Sequence, residues 1–187
     1  MPELRNLLYI AARESLSAHE IRNQDVNCDL VPDVIFASSM LWAFPKLMAT
    51  LDMGITDNVR KVKKSRLDRF KNRLGIKSKC EGGQSVRVTI SEYLQWMCSH
   101  KRLCVGRFHG VVAASVLGIP FSSWDSNTWK TRGLMVDMGV PHLHYHSFME
   151  AKENVPTEVN PLISEFSERA KTRVTMMFDH IYDIAVG

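Results

Sequence analysis

Between Lys101 and Tyr145, short apolar runs alternate with helical patterns. They predict a strand over Arg102 to Val105, a helix over Phe108 to Leu117, a strand over Ile119 to Ser122, a helix over Trp129 to Met138 stopped by Gly139, and a strand over His142 to Tyr145. That βαβαβ order predicts a parallel sheet with helices packed on it. Upstream, Leu7 to Ala12 reads as a buried strand, and Ser17-Ala-His-Glu20 matches a capping box opening a short helix through Ile21 and Arg22. Cys28 to Phe36 reads as a second extended segment interrupted by Pro32, and Ser38 to Leu51 as a helix disturbed by Pro45. A second capping-box match, Thr89-Ile-Ser-Glu92, opens an amphipathic helix through Tyr93, Leu94, Trp96 and Met97. Asn160-Pro161 is an N-cap and first-turn pair for a long helix reaching about Ile184, and Glu150 to Glu158 is the expected exposed connection before it.

With 187 residues, 45% hydrophobic and 24% charged, the chain can bury one core and is short for two ordinary domains. The expectation is a single α/β, Rossmann-like domain over residues 1–187, with a mainly parallel sheet flanked by helices and a long C-terminal helix. No run of about twenty apolar residues argues for a membrane span, and Met-Pro-Glu-Leu-Arg-Asn lacks the layout of a secretory signal. A cytoplasmic protein is therefore expected. Cys28, Cys80, Cys98 and Cys104 are scattered and read as reduced, mostly buried thiols.

The net charge of +4 conceals an asymmetry. Val59 to Lys79 holds ten Lys or Arg against one acid, Asp68, while the rest of the chain holds fourteen against nineteen. Apolar Val59, Val62, Leu67, Phe70 and Leu74 recur between the cations, predicting a basic helix over Asp57 to Leu74 that Gly75 stops, within a basic insertion over 57–79. Such a face is either simply solvated or a surface for nucleic acid or another polyanion at residues 59–79. Phe70 is its one aromatic, too few for a stacking platform on single strands.

Candidate chemistry gathers where predicted strands end. Arg107 and His109 fall at the start of the helix that follows Leu103 to Val105, where unpaired backbone N–H groups favour anions. An imidazole, with an ordinary pKa near ~6.5, exchanges protons at neutral pH. The polar loop Phe121 to Lys130 leaves the same sheet edge, because every βα loop of a parallel sheet does. Lys130 is positioned to reach a phosphate held by Arg107, with Ser122, Ser123 and Asn127 adding hydrogen bonds. His142, His144 and His146 alternate, so on one strand they would share a face, yet origins about 6.5–7 Å apart suit a single tetrahedral ion poorly. No metal and no cofactor are expected.

Three blocks resemble the C-terminal, Rossmann-like half of the polysaccharide pyruvyl transferases, a family with a GT-B-like arrangement. Tyr9-Ile-Ala-Ala-Arg13-Glu14-Ser15-Leu-Ser17 is similar to a strand followed by Arg-Glu/Asp-x-x-Ser, and Val31-Pro32-Asp33-Val-Ile-Phe36 resembles the family's V-x-D-P-x-F segment. The second block is Arg107-x-His109, followed by Gly118-Ile-Pro120, and the third is the loop supplying Lys130. The resemblance spans Tyr9 to His142. It implies a phosphoenolpyruvate donor bound by Arg13 and Lys130, proton transfer by His109, and a saccharide acceptor in polysaccharide biosynthesis. Val34 follows Asp33 where the family tends to have proline. The family's N-terminal half has no counterpart here, so a homo-oligomer or a partner chain is expected to complete the cleft. A nucleic-acid-binding or nucleic-acid-modifying half-domain, or a non-catalytic interaction protein that keeps the fold, is the alternative.

Overall fold

Two parallel sheets organise the chain. The computed structural model describes residues 7, 9–45, 48–56, 89–125 and 129–186. The small sheet pairs β1 (Ala11–Ala12) with β2 (Asp29–Leu30), and α1 (Ser15–Arg22) connects them. The larger sheet runs in the order β3 (Leu51–Thr56), β4 (His100–Val105), β5 (Phe121–Trp124) and β6 (His144–Tyr145). Between the two lie a 3-10 turn (Val34–Ala37) and the short helix α2 (Ser39–Trp42). The crossover helices of the larger sheet are α3 (Ile90–Cys98), α4 (Phe108–Leu117) and α5 (Lys130–Asp137). All three contribute residues to one core on a single face of that sheet.

The burial pattern follows that layering. Leu103, Val105 and Phe121 pack with Leu94, Met97, Val111, Leu134 and Ile163 in one core. The alternate strand residues Cys104 and Trp124 face the other side, against Ala151 of α6 (Phe148–Glu153) and Val155. Eight of the ten residues of α4 are buried, so it is apolar all round instead of striped. At roughly 1.5–3 kcal/mol for each fully buried Val or Leu, this helix is anchored by its own composition. It ends where Gly118 adopts a left-handed φ of 63° and its amide reaches back to Ala114. The long helix α7 (Pro161–Val186) is capped by Asn160, whose Oδ1 accepts the Leu162 amide at 3.0 Å, and packs against the 3-10 turn and α4.

The α/β class, the parallel sheet, the Thr89–Glu92 capping box and the long last helix agree with the sequence reading. Other elements differ. The first strand is confined to Ala11–Ala12, and α1 starts at Ser15, before Ser17, because the Glu14 carboxylate is its N-cap. The helix expected over Ser38 to Leu51 divides into α2 and the strand β3, since Pro45 offers no N–H to continue a helix. Beyond Val31 the extended segment turns into the 3-10 turn, with Asp33 Oδ1 accepting the Ile35 amide at 3.1 Å. His142 lies in a 3-10 turn (Pro141–Leu143), so the three histidines do not share a strand face. Glu150 to Glu153 belongs to α6, which a Ser147–Glu150 capping box opens. The basic stretch 57–79 lies outside the described residues.

Candidate functional site

Segments that follow β1, β2 and β4 bring the chemistry together. Arg13 follows β1, Asp33 follows β2, and His109 stands in the first turn of α4 after β4. Asp33 is only 8% exposed, and its Oδ2 accepts from Arg13 Nη1 at 3.0 Å while His109 Nε2 stands 3.7 Å from the same oxygen. The first contact is a hydrogen-bonded ion pair; the second is too long for a hydrogen bond and acts through charge when the imidazole is protonated. Arg13 also lies over the Phe108 ring, with its guanidinium carbon 4.5 Å from the centroid. A guanidinium carries five N–H donors, so pairing with Asp33 leaves donors for a ligand.

What holds Arg13 there is the start of α1. The fully buried Glu14 accepts the Leu16 amide at 2.9 Å, the Ser17 amide at 3.0 Å and the Ser17 hydroxyl. Gly133 of α5 packs directly on that carboxylate: a Cβ there would stand 2.3 Å from Glu14 Oε2. One turn on, Asp137 Oδ2 accepts the Ser15 amide at 2.9 Å. Burial pushes the Asp137 carboxyl above its ordinary range, against the pull of the Ser15 hydrogen bonds. The small sheet is thus bolted to the larger one through α1 and α5, and the Arg-Glu-x-x-Ser block is a capping device that aims the preceding arginine.

The α4 N-terminus is open to an anion. Its N-cap residue, Arg107, gives no side-chain cap, so the first-turn amides are not closed off by one. Beside that turn, the Thr56 hydroxyl at the end of β3 is buried without a hydrogen-bond partner among the described residues. Gly110 permits this approach: a Cβ on it would stand 3.4 Å from Thr56 Oγ1 and 2.8 Å from Val105 Cγ1. An uncapped helix start, an unpartnered buried hydroxyl, a guanidinium and an imidazole form a donor set for a phosphate or carboxylate.

The remaining predicted site residues are placed differently. Lys130 opens α5 and makes no hydrogen bond or ion pair among the described residues. Asn127 lies outside them. Ser122 and Ser123 are fully buried in β5, and both have internal partners: Ser122 Oγ donates to Ala151 O at 2.6 Å, and Ser123 Oγ pairs with His144 Nδ1 at 2.8 Å. Alternation explains this, since both side chains project from the strand into packed layers instead of over its end. Cys28, Cys98 and Cys104 are buried, and burial pushes the Cys104 thiol up to about 11. No group of three or more metal-ligating side chains exists among the described residues.

Sequence reasoning did not single out Asp33, Thr56 or Asp125. Asp33 was within a recognisable block, whereas Thr56 ends a strand the pattern did not reveal, and Asp125 depends on strand register. A further open cleft of about 770 Å³ lies between Arg22, Asp29, Arg173 and Met176, and none of the predicted site residues lines it. No helix among the described residues is long and apolar enough to cross a membrane. In comparisons with known proteins the chain matches no family model, no curated protein and no solved structure.

Proposed function

We propose that the chain is a pyruvyl-transferase-like protein that takes phosphoenolpyruvate as donor and delivers its pyruvyl group to a saccharide. The observation that carries this reading is the meeting of Arg13, Asp33 and His109 at the open start of α4, with His109 76 positions beyond Asp33 in the sequence. The resemblance pairs these blocks, and their side chains meet around Asp33.

The chemistry assigns each group a task. The donor's phosphate and carboxylate are anionic, and Arg13, the α4 amides and the Thr56 hydroxyl are the groups that would hold them. Protonated His109 delivers its proton to the methylene carbon of the enol, leaving a cationic centre at the adjacent carbon. The Asp33 carboxylate, 3.7 Å from His109 Nε2, faces the ring with its negative charge. An acceptor hydroxyl bonds to the cationic carbon and gives up its proton. The C–O bond to phosphate then breaks, and a second hydroxyl closes the ketal as its proton leaves. One of the two hydroxyl protons replaces that given by His109, and the other leaves with phosphate.

The test is phosphate release from phosphoenolpyruvate with a panel of polysaccharides, comparing the native chain with His109→Ala. His109 is 64% exposed, so its removal leaves folding intact. Acceptor-dependent release lost in the variant is expected; equal release by both proteins removes His109 from the mechanism. The concentration of cations in 59–79 favours a second reading, polyanion binding, whose signature is steep weakening with salt.

A further inference from the structure

A second cluster of titratable groups lies on the same edge of the larger sheet. Val105 is in register with Ser123, and Ser123 with His144. Arg107, Asp125 and His146 therefore each stand two residues past that rung, in one row across the ends of β4, β5 and β6. With neighbouring strands about 4.8 Å apart, the row spans on the order of 10 Å. The Asp125 amide continues the ladder by donating to Tyr145 O at 2.9 Å.

Four side chains are linked there in series. Ser123 Oγ pairs with His144 Nδ1 at 2.8 Å, His144 Nε2 with Asp125 Oδ1 at 2.9 Å, and His146 Nδ1 with Asp125 Oδ2 at 3.0 Å. An ionised carboxylate only accepts, so each imidazole nitrogen facing Asp125 carries a proton. His144 is then an Nε2–H tautomer whose Nδ1 accepts the Ser123 hydroxyl. His146 is an Nδ1–H tautomer whose Nε2 lone pair is left free, and its side chain is 85% exposed. Burial holds His144 below its ordinary range, while Asp125's hydrogen bond and charge pull it upward and the charges of Arg132 and His146 push it down. Burial also raises Asp125, but hydrogen bonds and charge from His146 and His144 outweigh it and keep the carboxyl below its ordinary range. The buried serine is thus no nucleophile; the Ser123–His144 pair fixes the carboxylate, and the carboxylate fixes the exposed ring.

We propose that His146, oriented by Asp125, is a second proton-transfer group of this sheet edge, whose free Nε2 accepts the proton of a saccharide hydroxyl. This rests on the transferase reading and names the group that receives the acceptor's proton. As the hydroxyl oxygen bonds to the cationic carbon of the protonated enol phosphate, its proton passes to His146 Nε2 and from there to the departing phosphate, while the second hydroxyl's proton restores His109. The resulting imidazolium keeps its Nδ1–H on Asp125, whose charge stabilises it. Asp125 is a positioning residue and does not touch the reacting atoms.

Nitrogen-15 NMR of the full chain tests this without turnover. His146 is expected as the Nδ1–H tautomer, and Asp125→Asn is expected to return it to the Nε2–H form that a free imidazole favours. Adding methyl hexopyranosides should shift the His146 ring signals, whereas adding phosphoenolpyruvate alone should shift those of His109. An Nε2–H tautomer in the native chain, or a His146 ring indifferent to every hexopyranoside, overturns the proposal. A His109 ring indifferent to phosphoenolpyruvate counts against the donor site instead. His146→Gln, a surface change that folds even if Asp125→Asn does not, should lower acceptor-dependent phosphate release at least tenfold while leaving phosphoenolpyruvate binding unchanged. Undiminished release in that variant also overturns the assignment.

Discussion

Replacing Gly133 by alanine sets two effects of opposite sign against each other. Alanine is about 1 kcal/mol better than glycine inside a helix, so on propensity alone the change stabilises α5. The new Cβ, however, would stand 2.3 Å from Glu14 Oε2, closer than real contacts allow, and the carboxylate must move by roughly 1 Å. Glu14 is fully buried and holds the Leu16 and Ser17 amides at 2.9 and 3.0 Å, so that movement carries both bonds towards or past the hydrogen-bond limit. Losing a helix cap costs about 0.5–2 kcal/mol, and a buried group losing charge-assisted bonds about 1.5–3 kcal/mol. The clash wins, and Gly133→Ala should lower stability by about 1–3 kcal/mol in urea unfolding followed by circular dichroism. At about 2–4 °C per kcal/mol for a chain of this size, the melting temperature falls visibly. In a Glu14→Ala background the same substitution should become neutral or stabilising, because the atom it strikes is gone. A Gly133→Ala protein more stable than the native one would refute the packing of α1 on α5, and with it the account of how Arg13 is held.

Thr56→Val replaces a buried hydroxyl that has no partner among the described residues with a methyl of similar shape, so stability should be unchanged or raised by up to about 1 kcal/mol. Phosphoenolpyruvate affinity, measured by calorimetry, should nevertheless fall about tenfold, and retained affinity would take Thr56 out of the site. Thr131→Val tests a second buried hydroxyl without a partner among the described residues, in α5; a loss above about 1 kcal/mol would mean that this hydroxyl is satisfied after all. For pH, His144 has its folded-state titration held below the unfolded value of ~6.5, so its contribution is intact above that pH and declines as pH falls below it. Melting temperatures between pH 7.5 and 5 should fall more steeply in the native chain than in His144→Asn; equal slopes would contradict the buried neutral imidazole.

Local signals made much of this fold legible. The apolar run into Gly106-Arg107 marked β4 and the start of α4, Thr89 and Glu92 marked α3, and Asn160-Pro161 marked α7. What stayed hidden depends on distant partners. Ser17 carries the sequence signature of an N-cap, but Glu14 takes the position because its carboxylate is buried against Gly133, more than a hundred residues away. Strand β3 contains Asp52 and Gly54 and is half exposed at the sheet edge, so its pattern is too weak to separate from a loop. The serines of β5 read as loop donors because the strand begins and ends two residues later than its apolar pattern indicates, and such a shift decides which residues leave the sheet. Asp125 acquires its two histidines only through the register of β5 with β6.

The most direct measurement is calorimetric titration of phosphoenolpyruvate into the native chain, Arg13→Gln and Lys130→Ala, beside single-stranded DNA at two salt concentrations. Saturable donor binding that is insensitive to moderate salt and lost in Arg13→Gln is the predicted result, with Lys130→Ala reporting whether that lysine joins the site. No donor binding, with DNA association that collapses as salt rises, would contradict the transferase reading and assign function to the basic stretch 59–79.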